Sequence, residues 1–90
     1  MKPAASRETV LQTEFREDFR EWAKADRTVA LRVVRMMEAA LRDPSSGDGK
    51  PEPLKHALAG CWARRITQEH RLVYRVGERR IDFLQARYHY

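Results

Sequence analysis

The chain has 90 residues, a net charge of +5 and a sequence pI near 9.9. Its length allows a single domain, residues 1–90, and its 42% hydrophobic content is ordinary for a globular protein. No apolar run is long enough to span a membrane, the first residues lack the apolar stretch of a secretory signal, and the one cysteine cannot form an internal disulfide bond. We therefore expect a cytoplasmic protein without a membrane partner.

The excess positive charge lies in the second half of the chain. Residues 1–45 carry nine Lys/Arg and eight Asp/Glu, whereas residues 46–90 carry nine Lys/Arg and five Asp/Glu. A basic surface of this kind favours a polyanionic partner such as nucleic acid, although many small basic domains bind none. The C-terminal half is therefore expected to face any phosphate backbone.

The first 25 residues predict an extension, a short strand and a helix. Residues 1–8 are small and polar and are interpreted as a flexible extension, and residues 9–12 as a strand. The helix is predicted to begin at Thr13 or Glu14. Its apolar side chains recur at positions i, i+4 and i+7, which is typical of one buried helix face, and they are Phe15, Phe19 and Trp22.

A second helix is predicted to begin after Asp26, whose carboxylate suits the N-cap position. It is expected to end at Asp43, because a proline disfavours helical geometry in the residue before it and Pro44 follows. The buried face of this helix is predicted to consist of Ala30, Val33, Val34, Met37 and Leu41.

The remaining chain predicts a loop and then a sheet. Residues 44–53 contain three of the four prolines and are interpreted as a surface loop, since the segments on either side are too short to be separate domains. The hydrophobic period then changes to two, which predicts strands at 62–67, 70–76 and 81–87 with a hairpin turn at Gly77-Glu78. The predicted fold class is α+β, with two N-terminal helices packed on one face of an antiparallel sheet.

The residue types permit a metal-free cleavage of RNA. In that reaction a base removes the proton of the 2′-hydroxyl, an acid protonates the leaving 5′-oxygen, and cations stabilise the phosphorane. No Cys/His cluster suits zinc and no carboxylate set suits magnesium, so neither a metal nor a cofactor is expected. The candidate groups are Glu52, Lys55, Arg64, Arg65, Arg71, and His89 with its neighbours Tyr88 and Tyr90.

Each candidate group also has an ordinary structural explanation. Glu52 could be a solvated loop residue, although the two flanking prolines fix the backbone around it. The strand arginines could form a solvated sheet face, and His89 could lie in a frayed C-terminus. The aromatic residues beside His89 favour a functional tail, because nucleic-acid bases stack on aromatic rings. His56 and His70 are assigned mainly to structure.

Five motifs in the second half of the chain form a specific combination. They are GKPEPLKH at 49–56, LAG at 58–60, WARRIT at 62–67, EHRLVY at 69–74 and the terminal RYHY at 87–90. This combination resembles the YoeB toxins, the Txe/YoeB branch of the RelE superfamily, in outline over residues 9–90 and in detail over residues 49–90. The resemblance implies a microbial-ribonuclease-like fold with a twisted antiparallel sheet.

The resemblance also implies a function and a set of partners. It implies the toxin of a type II toxin–antitoxin module, an endonuclease that cleaves mRNA in the ribosomal A site and inhibits translation without a metal. The implied partners are a YefM-like antitoxin, the ribosome with its rRNA and mRNA, and a second copy of the chain. Operator DNA would be bound only through the antitoxin complex.

Carried over residue by residue, the resemblance implies a role for each candidate. Glu52 would be the general base and His89 the general acid. Arg71 would stabilise the phosphorane, and Tyr90 would position the scissile nucleotide. The substrate-binding roles would fall to Lys50, Lys55, Arg64, Arg65, Glu69 and Tyr88.

The chain departs from the family pattern in three places, and two other functions stay open. Cys61 stands where an aromatic residue is expected, Gln68 where a glutamate is expected, and residues 1–8 are additional. The first alternative is a non-catalytic module that binds the ribosome or nucleic acid. The second is a basic domain that acts only with an antitoxin as an operator co-repressor.

Overall fold

Two helices pack against one face of a five-stranded sheet in the computed structural model, which describes residues 7–88. The elements in chain order are β1 (Glu8–Leu11), α1 (Thr13–Ala25), α2 (Arg27–Arg42), β2 (Glu52–Pro53), a 3₁₀-helix (His56–Leu58), β3 (Cys61–Arg65), β4 (Arg71–Val76) and β5 (Arg80–Tyr88). Across the sheet the order is β1-β5-β4-β3-β2, and only the pairing of β1 with β5 is parallel among these strands. The predicted α+β class with both helices on one sheet face is confirmed, and the parallel edge strand makes the sheet mixed.

Strand β1 begins one residue earlier than the sequence predicts. Glu8 stands opposite Arg80, and the backbone N–H of Glu8 donates to the carbonyl oxygen of Arg79 at 2.9 Å. Arg7 donates from Nε to the carbonyl oxygen of Gly77, also at 2.9 Å. The last two residues of the predicted extension 1–8 are therefore held against the sheet, and residues 1–6 lie outside the described residues.

The helix boundaries follow from local chemistry. Asp26 adopts an extended backbone, and its Oδ1 accepts a hydrogen bond from the N–H of Val29 at 3.2 Å, so the predicted N-cap is confirmed. Helix α2 ends at Arg42, before the Asp43-Pro44 pair. Neither helix within the described residues has the length and apolar character needed to cross a bilayer.

The predicted buried face of α2 is partly wrong. Val34 is 36% exposed, and Met37 and Leu41 are only half-buried. Most of the α2 side chains that pack into the core lie one residue before the predicted ones. They are Val29, Val33, Met36 and Ala40. Apolar residues occupy more than one face of α2, so helical periodicity alone could not show which stripe meets the sheet. Met37 and Leu41 pack at the margin of this core, and together with Val34 they line a groove bounded by α1, α2 and β1.

The predicted strands are confirmed, and one more is found inside the predicted loop. Residues 52 and 53, at the end of the predicted loop 44–53, form the short strand β2, in which Glu52 stands opposite Ala63 of β3. A two-residue strand that contains a proline has no hydrophobic alternation, so the sequence carried no signal for it. Between β4 and β5 the pairing is irregular, because three steps from Arg71 to Tyr74 are matched by five steps from Tyr88 to Phe83.

We predict that Asp26→Ala lowers the free energy of unfolding by about 1 kcal/mol, because the N-cap carboxylate satisfies an amide of the first helical turn. Urea denaturation followed by circular dichroism measures this loss. Asp26→Asn keeps a side-chain oxygen acceptor and is expected to retain most of the stability. Equal losses in the two variants would contradict the capping role.

Candidate active site

The sheet face opposite the helices carries a small apolar centre surrounded by polar groups. Cys61, Ala63 and Val73 are buried there. Leucines from the 52–58 segment and from β5 pack against them, as does Tyr88. The helices leave this face uncovered, so polar side chains at its margins are available to a ligand. Cys61, which stands where the family pattern has an aromatic residue, is 1% exposed and takes part in the centre.

Glu52 lies exposed on the edge strand β2, beside a cavity of about 300 Å³. The cavity is lined by side chains of the 52–58 segment and by Tyr88 of β5. Because Pro51 and Pro53 cannot donate backbone hydrogen bonds, the segment is held at its end by the N–H of Leu54, which donates to the carbonyl oxygen of Cys61 at 2.9 Å. The structure thus places the predicted base at an open pocket with a backbone of restricted freedom.

His56 lines the same cavity, although its sequence position predicts a mainly structural role. Its φ of 59° lies in the left-handed region, where histidine is one of the few enriched side chains, and it begins the 3₁₀-helix. The neighbouring Lys55, a predicted substrate-binding residue, is exposed and also lines the cavity. The only sequence signal for His56 was its position directly after Lys55.

Arg71 begins β4 at the other side of the face, and its side chain is held by the preceding turn. Its Nη1 donates to the carbonyl oxygens of Thr67, Gln68 and His70 at 3.1, 3.2 and 3.3 Å. The turn is closed by Thr67, whose Oγ1 accepts hydrogen bonds from the N–H groups of Glu69 and His70. Arg71 is only 9% exposed, so its guanidinium has a restricted orientation.

Tyr88 connects the cavity with Arg71. It stands opposite Arg71 in the β4–β5 pairing, and its side chain contributes to the cavity that Glu52 lines. Arg65 of β3 stands on the other side of Arg71, so one row across the sheet reads Arg65, Arg71, Tyr88. The predicted acid His89 and the predicted Tyr90 follow Tyr88 directly in the chain, and both lie outside the described residues.

Helix α1 fixes the irregular part of β5 just before Tyr88. Asp18 Oδ2 accepts a hydrogen bond from the N–H of Ala86 at 2.9 Å, and Trp22 Nε1 donates to the carbonyl oxygen of Ala86 at 2.8 Å. Both backbone polar groups of Ala86 are therefore satisfied by the helix layer. The guanidinium of Arg87 lies 5.5 Å from the centre of the Trp22 ring. A bulge changes the direction of a strand, and here it sets the position at which Tyr88 pairs with Arg71.

The prediction that Arg64 binds substrate is wrong. Arg64 has no exposed surface, and its guanidinium points away from the site into a set of hydrogen bonds. Nε donates to Tyr74 Oη at 2.9 Å, Nη1 donates to the carbonyl oxygen of Asp48, and Nη2 donates to the carbonyl oxygens of Asp43 and Ser46. Successive residues of a strand face opposite sides of a sheet, so Arg64 and Arg65 cannot both face the cavity side.

The surroundings of Arg64 also shift the pKa values of two groups. Burial raises the pKa of the Tyr74 hydroxyl, and the hydrogen bond from Arg64 opposes that rise. Hydrogen bonds from Ser46 and Ser45 lower the pKa of the Asp43 carboxyl. Both groups lie on the helix side of the sheet, away from the cavity. These pKa shifts therefore arise from burial and hydrogen bonding around the loop after α2, and not from the candidate site.

The other predicted substrate-binding residues lie at the margin of the face. Lys50 is exposed in the loop before β2, with a φ of 51°, and Glu69 is exposed in the turn before Arg71. Neither of them lines the cavity, whereas Arg65 is exposed in the central row. Within residues 7–88 no group of three or more His, Cys, Asp or Glu side chains is arranged to hold a metal ion.

Comparison with known proteins identifies the family of this chain. Residues 11–90 match the family model described as the YoeB-like toxin of bacterial type II toxin–antitoxin systems. The chain belongs to this family. A curated relative, Toxin RelK of Mycobacterium tuberculosis, is 55% identical over 74 residues, which cover 82% of this chain and 87% of the relative.

Solved structures agree with the family assignment. The YoeB/ParE toxin from Agrobacterium tumefaciens superposes with a TM-score of 0.87 at 40% identity, covering 92% of this chain and 99% of that one. The YoeB dimer from Staphylococcus aureus superposes with a TM-score of 0.86 at 32% identity, covering 96% of this chain and all of that one. The chain is therefore a type II toxin–antitoxin toxin of the YoeB/RelE kind.

We predict that Asp18→Ala lowers the free energy of unfolding by about 1–3 kcal/mol, because it leaves the buried N–H of Ala86 without its acceptor. Chemical denaturation measures the loss. Asp18→Asn retains an oxygen acceptor and should lose less. Glu17→Ala removes an exposed carboxylate from the same helix and serves as the control. A loss in Asp18→Ala no larger than in Glu17→Ala would contradict this role.

Proposed function

We propose that the chain is a ribosome-dependent mRNA endonuclease that cleaves in the A site and thereby inhibits translation. Its family consists of toxins of type II toxin–antitoxin systems. The further step, from toxin to nuclease, is supported by the chemistry of the uncovered sheet face. That face offers a carboxylate and a lysine at an open cavity and two arginines beside it, so it can supply the base and the cations that cleavage through the 2′-hydroxyl requires, while the proposed acid is His89.

In the proposed reaction, the 2′-oxygen of the substrate attacks the adjacent phosphorus and the 5′-oxygen leaves. Glu52 accepts the proton of the 2′-hydroxyl, and His89 donates a proton to the leaving oxygen. The products are a 2′,3′-cyclic phosphate on one fragment and a 5′-hydroxyl on the other. Arg71 stabilises the additional negative charge of the phosphorane, and Tyr90 positions the scissile nucleotide.

The observation that carries this proposal is the position of Tyr88. It stands opposite Arg71 and also lines the cavity of Glu52, so the base, the cation and the start of the tail lie on one face. His89 is the next residue. Glu52 and Arg71 lie on strands β2 and β4, which are separated by β3, and Arg71 is two residues along β4 from the position in register with Glu52. Their backbone positions are therefore about 12 Å apart. This leaves room for a phosphodiester with its two flanking sugars.

The remaining residues of the face suit the binding of an RNA backbone. Lys55 is exposed at the cavity, Arg65 is exposed in the central row, and Lys50 is exposed just before β2. Tyr88 provides an aromatic surface on which a base can stack. Glu69 lies in the turn that holds Arg71, and we propose that it acts at the margin of the same substrate path. Arg64 has no place in this set because it is buried.

The partners follow from the proposed activity and from relatives. The solved structures of Staphylococcus aureus proteins include a YoeB dimer and a YoeB–YefM complex. We extend both to this chain and propose a homodimer and a cognate YefM-like antitoxin, with operator DNA bound only through the antitoxin complex. The ribosome with its rRNA and mRNA is the proposed target, which places the protein in the cytoplasm.

We predict that Glu52→Ala and His89→Ala each relieve growth arrest and strongly reduce cleavage of ribosome-bound mRNA while the fold is retained. General acid–base groups contribute about 10²–10⁴-fold to rate, so the loss should be of that order. Primer extension on mRNA from programmed ribosomes measures cleavage, and end-labelling identifies the cyclic phosphate. Circular dichroism monitors folding.

Arg75→Ala is the matched control, because Arg75 is an exposed strand residue at the other end of β4 from Arg71. It should keep wild-type cleavage. Growth arrest with intact mRNA on stalled ribosomes would favour the non-catalytic binding module instead. Absence of growth arrest when the wild-type chain is expressed alone would favour the co-repressor.

We predict that binding to ribosomes weakens steeply with salt, because lysines and arginines on the face displace cations condensed on the RNA. In a cleavage-deficient Glu52→Gln background, Lys55→Gln and Arg65→Gln should each reduce the slope of log affinity against log salt by about one. Arg79→Gln, in the turn between β4 and β5, should leave the slope unchanged. A flat salt response in the background protein would contradict the basic-face argument.

A further inference from the structure

Arg64 connects β3 to the loop that precedes the proposed base. Residues 43–49 lie outside regular secondary structure, and three of their carbonyl oxygens accept hydrogen bonds from the Arg64 guanidinium at 2.7 to 2.8 Å. Tyr74 adds a fourth contact to the same loop, because its hydroxyl accepts from Arg64 Nε and donates to the carbonyl oxygen of Pro44 at 2.7 Å. The buried guanidinium of Arg64 therefore holds the backbone of this loop against the sheet.

The loop is continuous with the strand that carries Glu52. Its last residue, Gly49, accepts a hydrogen bond at its carbonyl oxygen from the N–H of Arg65 at 2.7 Å. Only Lys50 and Pro51 separate Gly49 from Glu52. Strand β2 has two residues, and its proline has no N–H to donate, so few hydrogen bonds of its own fix the position of Glu52. The hydrogen bond from Leu54 to Cys61 holds the chain after Glu52, and the attachment of the loop holds the chain before it.

Gly49 shows how closely the loop is seated on β3. Its φ of +88° disfavours any residue with a side chain, and a Cβ built there would lie 3.0 Å from Cβ of Arg64 and 3.2 Å from the backbone nitrogen and oxygen of Arg65. The loop backbone therefore lies against β3 with no space between them. The exposed pair of Arg35 with Asp48, 3.4 Å apart, adds little to this attachment because it is screened by solvent.

We propose that Arg64 is a positioning residue, which holds Glu52 at the cavity by fixing the 43–49 loop against β3. This inference rests on the proposed function, since it assigns a consequence for cleavage. Arg64 touches neither the cavity nor the substrate face, so its effect passes entirely through the backbone of residues 43–51. Arginine suits this position because its planar guanidinium presents several donors in fixed directions, whereas a lysine ammonium on a flexible stem cannot satisfy the same four acceptors.

The test compares Arg64→Lys and Tyr74→Phe with the wild-type chain. The maximal rate of mRNA cleavage on programmed ribosomes, per folded molecule, should fall about 10- to 100-fold in Arg64→Lys, since small displacements of a catalytic group have effects of this size. Tyr74→Phe should show a smaller loss in the same direction. The concentration for half-maximal rate should change little in both, because Lys55, Arg65 and the rest of the basic face are retained.

Amide hydrogen exchange provides a readout that does not depend on activity. The N–H of Arg65 donates to Gly49 and the N–H of Leu54 donates to Cys61, so both bonds join β3 to the segment around Glu52. Exchange of these two amides should accelerate selectively in Arg64→Lys. Phe15→Leu is the control, because it weakens the core below α1 without contacting the loop. It should lower stability and accelerate exchange broadly while the maximal rate per folded molecule stays at the wild-type value.

The possible outcomes separate the two proposals. Exchange that accelerates selectively at Arg65 and Leu54 in Arg64→Lys, together with a reduced maximal rate of cleavage, supports positioning by Arg64. Unchanged exchange at Arg65 and Leu54, or accelerated exchange with an unchanged maximal rate, overturns it. A wild-type chain that leaves ribosome-bound mRNA intact overturns the proposed function itself, and the exchange data then still decide whether Arg64 fixes the loop.

Discussion

The hydrogen bonds between α1 and Ala86 are the contact on which the geometry of the candidate site depends. Strand β5 carries two extra residues relative to β4 before Tyr88, and such a bulge leaves backbone groups without ladder partners. Asp18 and Trp22 satisfy both polar groups of Ala86 inside the domain. Because an unsatisfied buried amide costs about 1–3 kcal/mol, these two side chains select one path for β5. That path brings Tyr88 beside Arg71 and the cavity.

A second constraint acts at the opposite edge of the sheet. The loop after α2 has few backbone partners of its own, and a loop that lies against a sheet must have its carbonyl groups satisfied. Arg64 satisfies three of them and leaves none of its own surface exposed. Its buried charge is stabilised by carbonyl dipoles and the Tyr74 hydroxyl. Glu52 and Tyr88 line the cavity, whereas the side chains that fix the backbone near them, Asp18, Trp22 and Arg64, do not line it.

Much of this organisation was predictable from local pattern. Helical spacing gave α1, the capping chemistry of Asp26 gave the start of α2, and alternation gave β3, β4 and β5. The parallel pairing of β1, the short β2 and the stripe of α2 that faces the core depend on tertiary contacts, so the sequence carried no local signal for them. The role of Arg64 was missed for the same reason. Adjacent arginines look alike in sequence, and only the phase of β3 assigns one to the interior and the other to the surface.

The two supports lie in different layers of the fold, and this has a consequence for how mutations act. Asp18 and Trp22 belong to α1 and direct β5, whereas Arg64 and Tyr74 belong to the sheet and fix the loop before β2. A change in one support should act mainly on one side of the cavity, because Asp18 and Trp22 bond to β5 whereas Arg64 bonds to the loop before β2. Effects of distant sites that share no partner add, so Asp18 and Arg64 variants should combine additively in stability. In cleavage, by contrast, the proposed base and the tail act on one phosphodiester and must be aligned together.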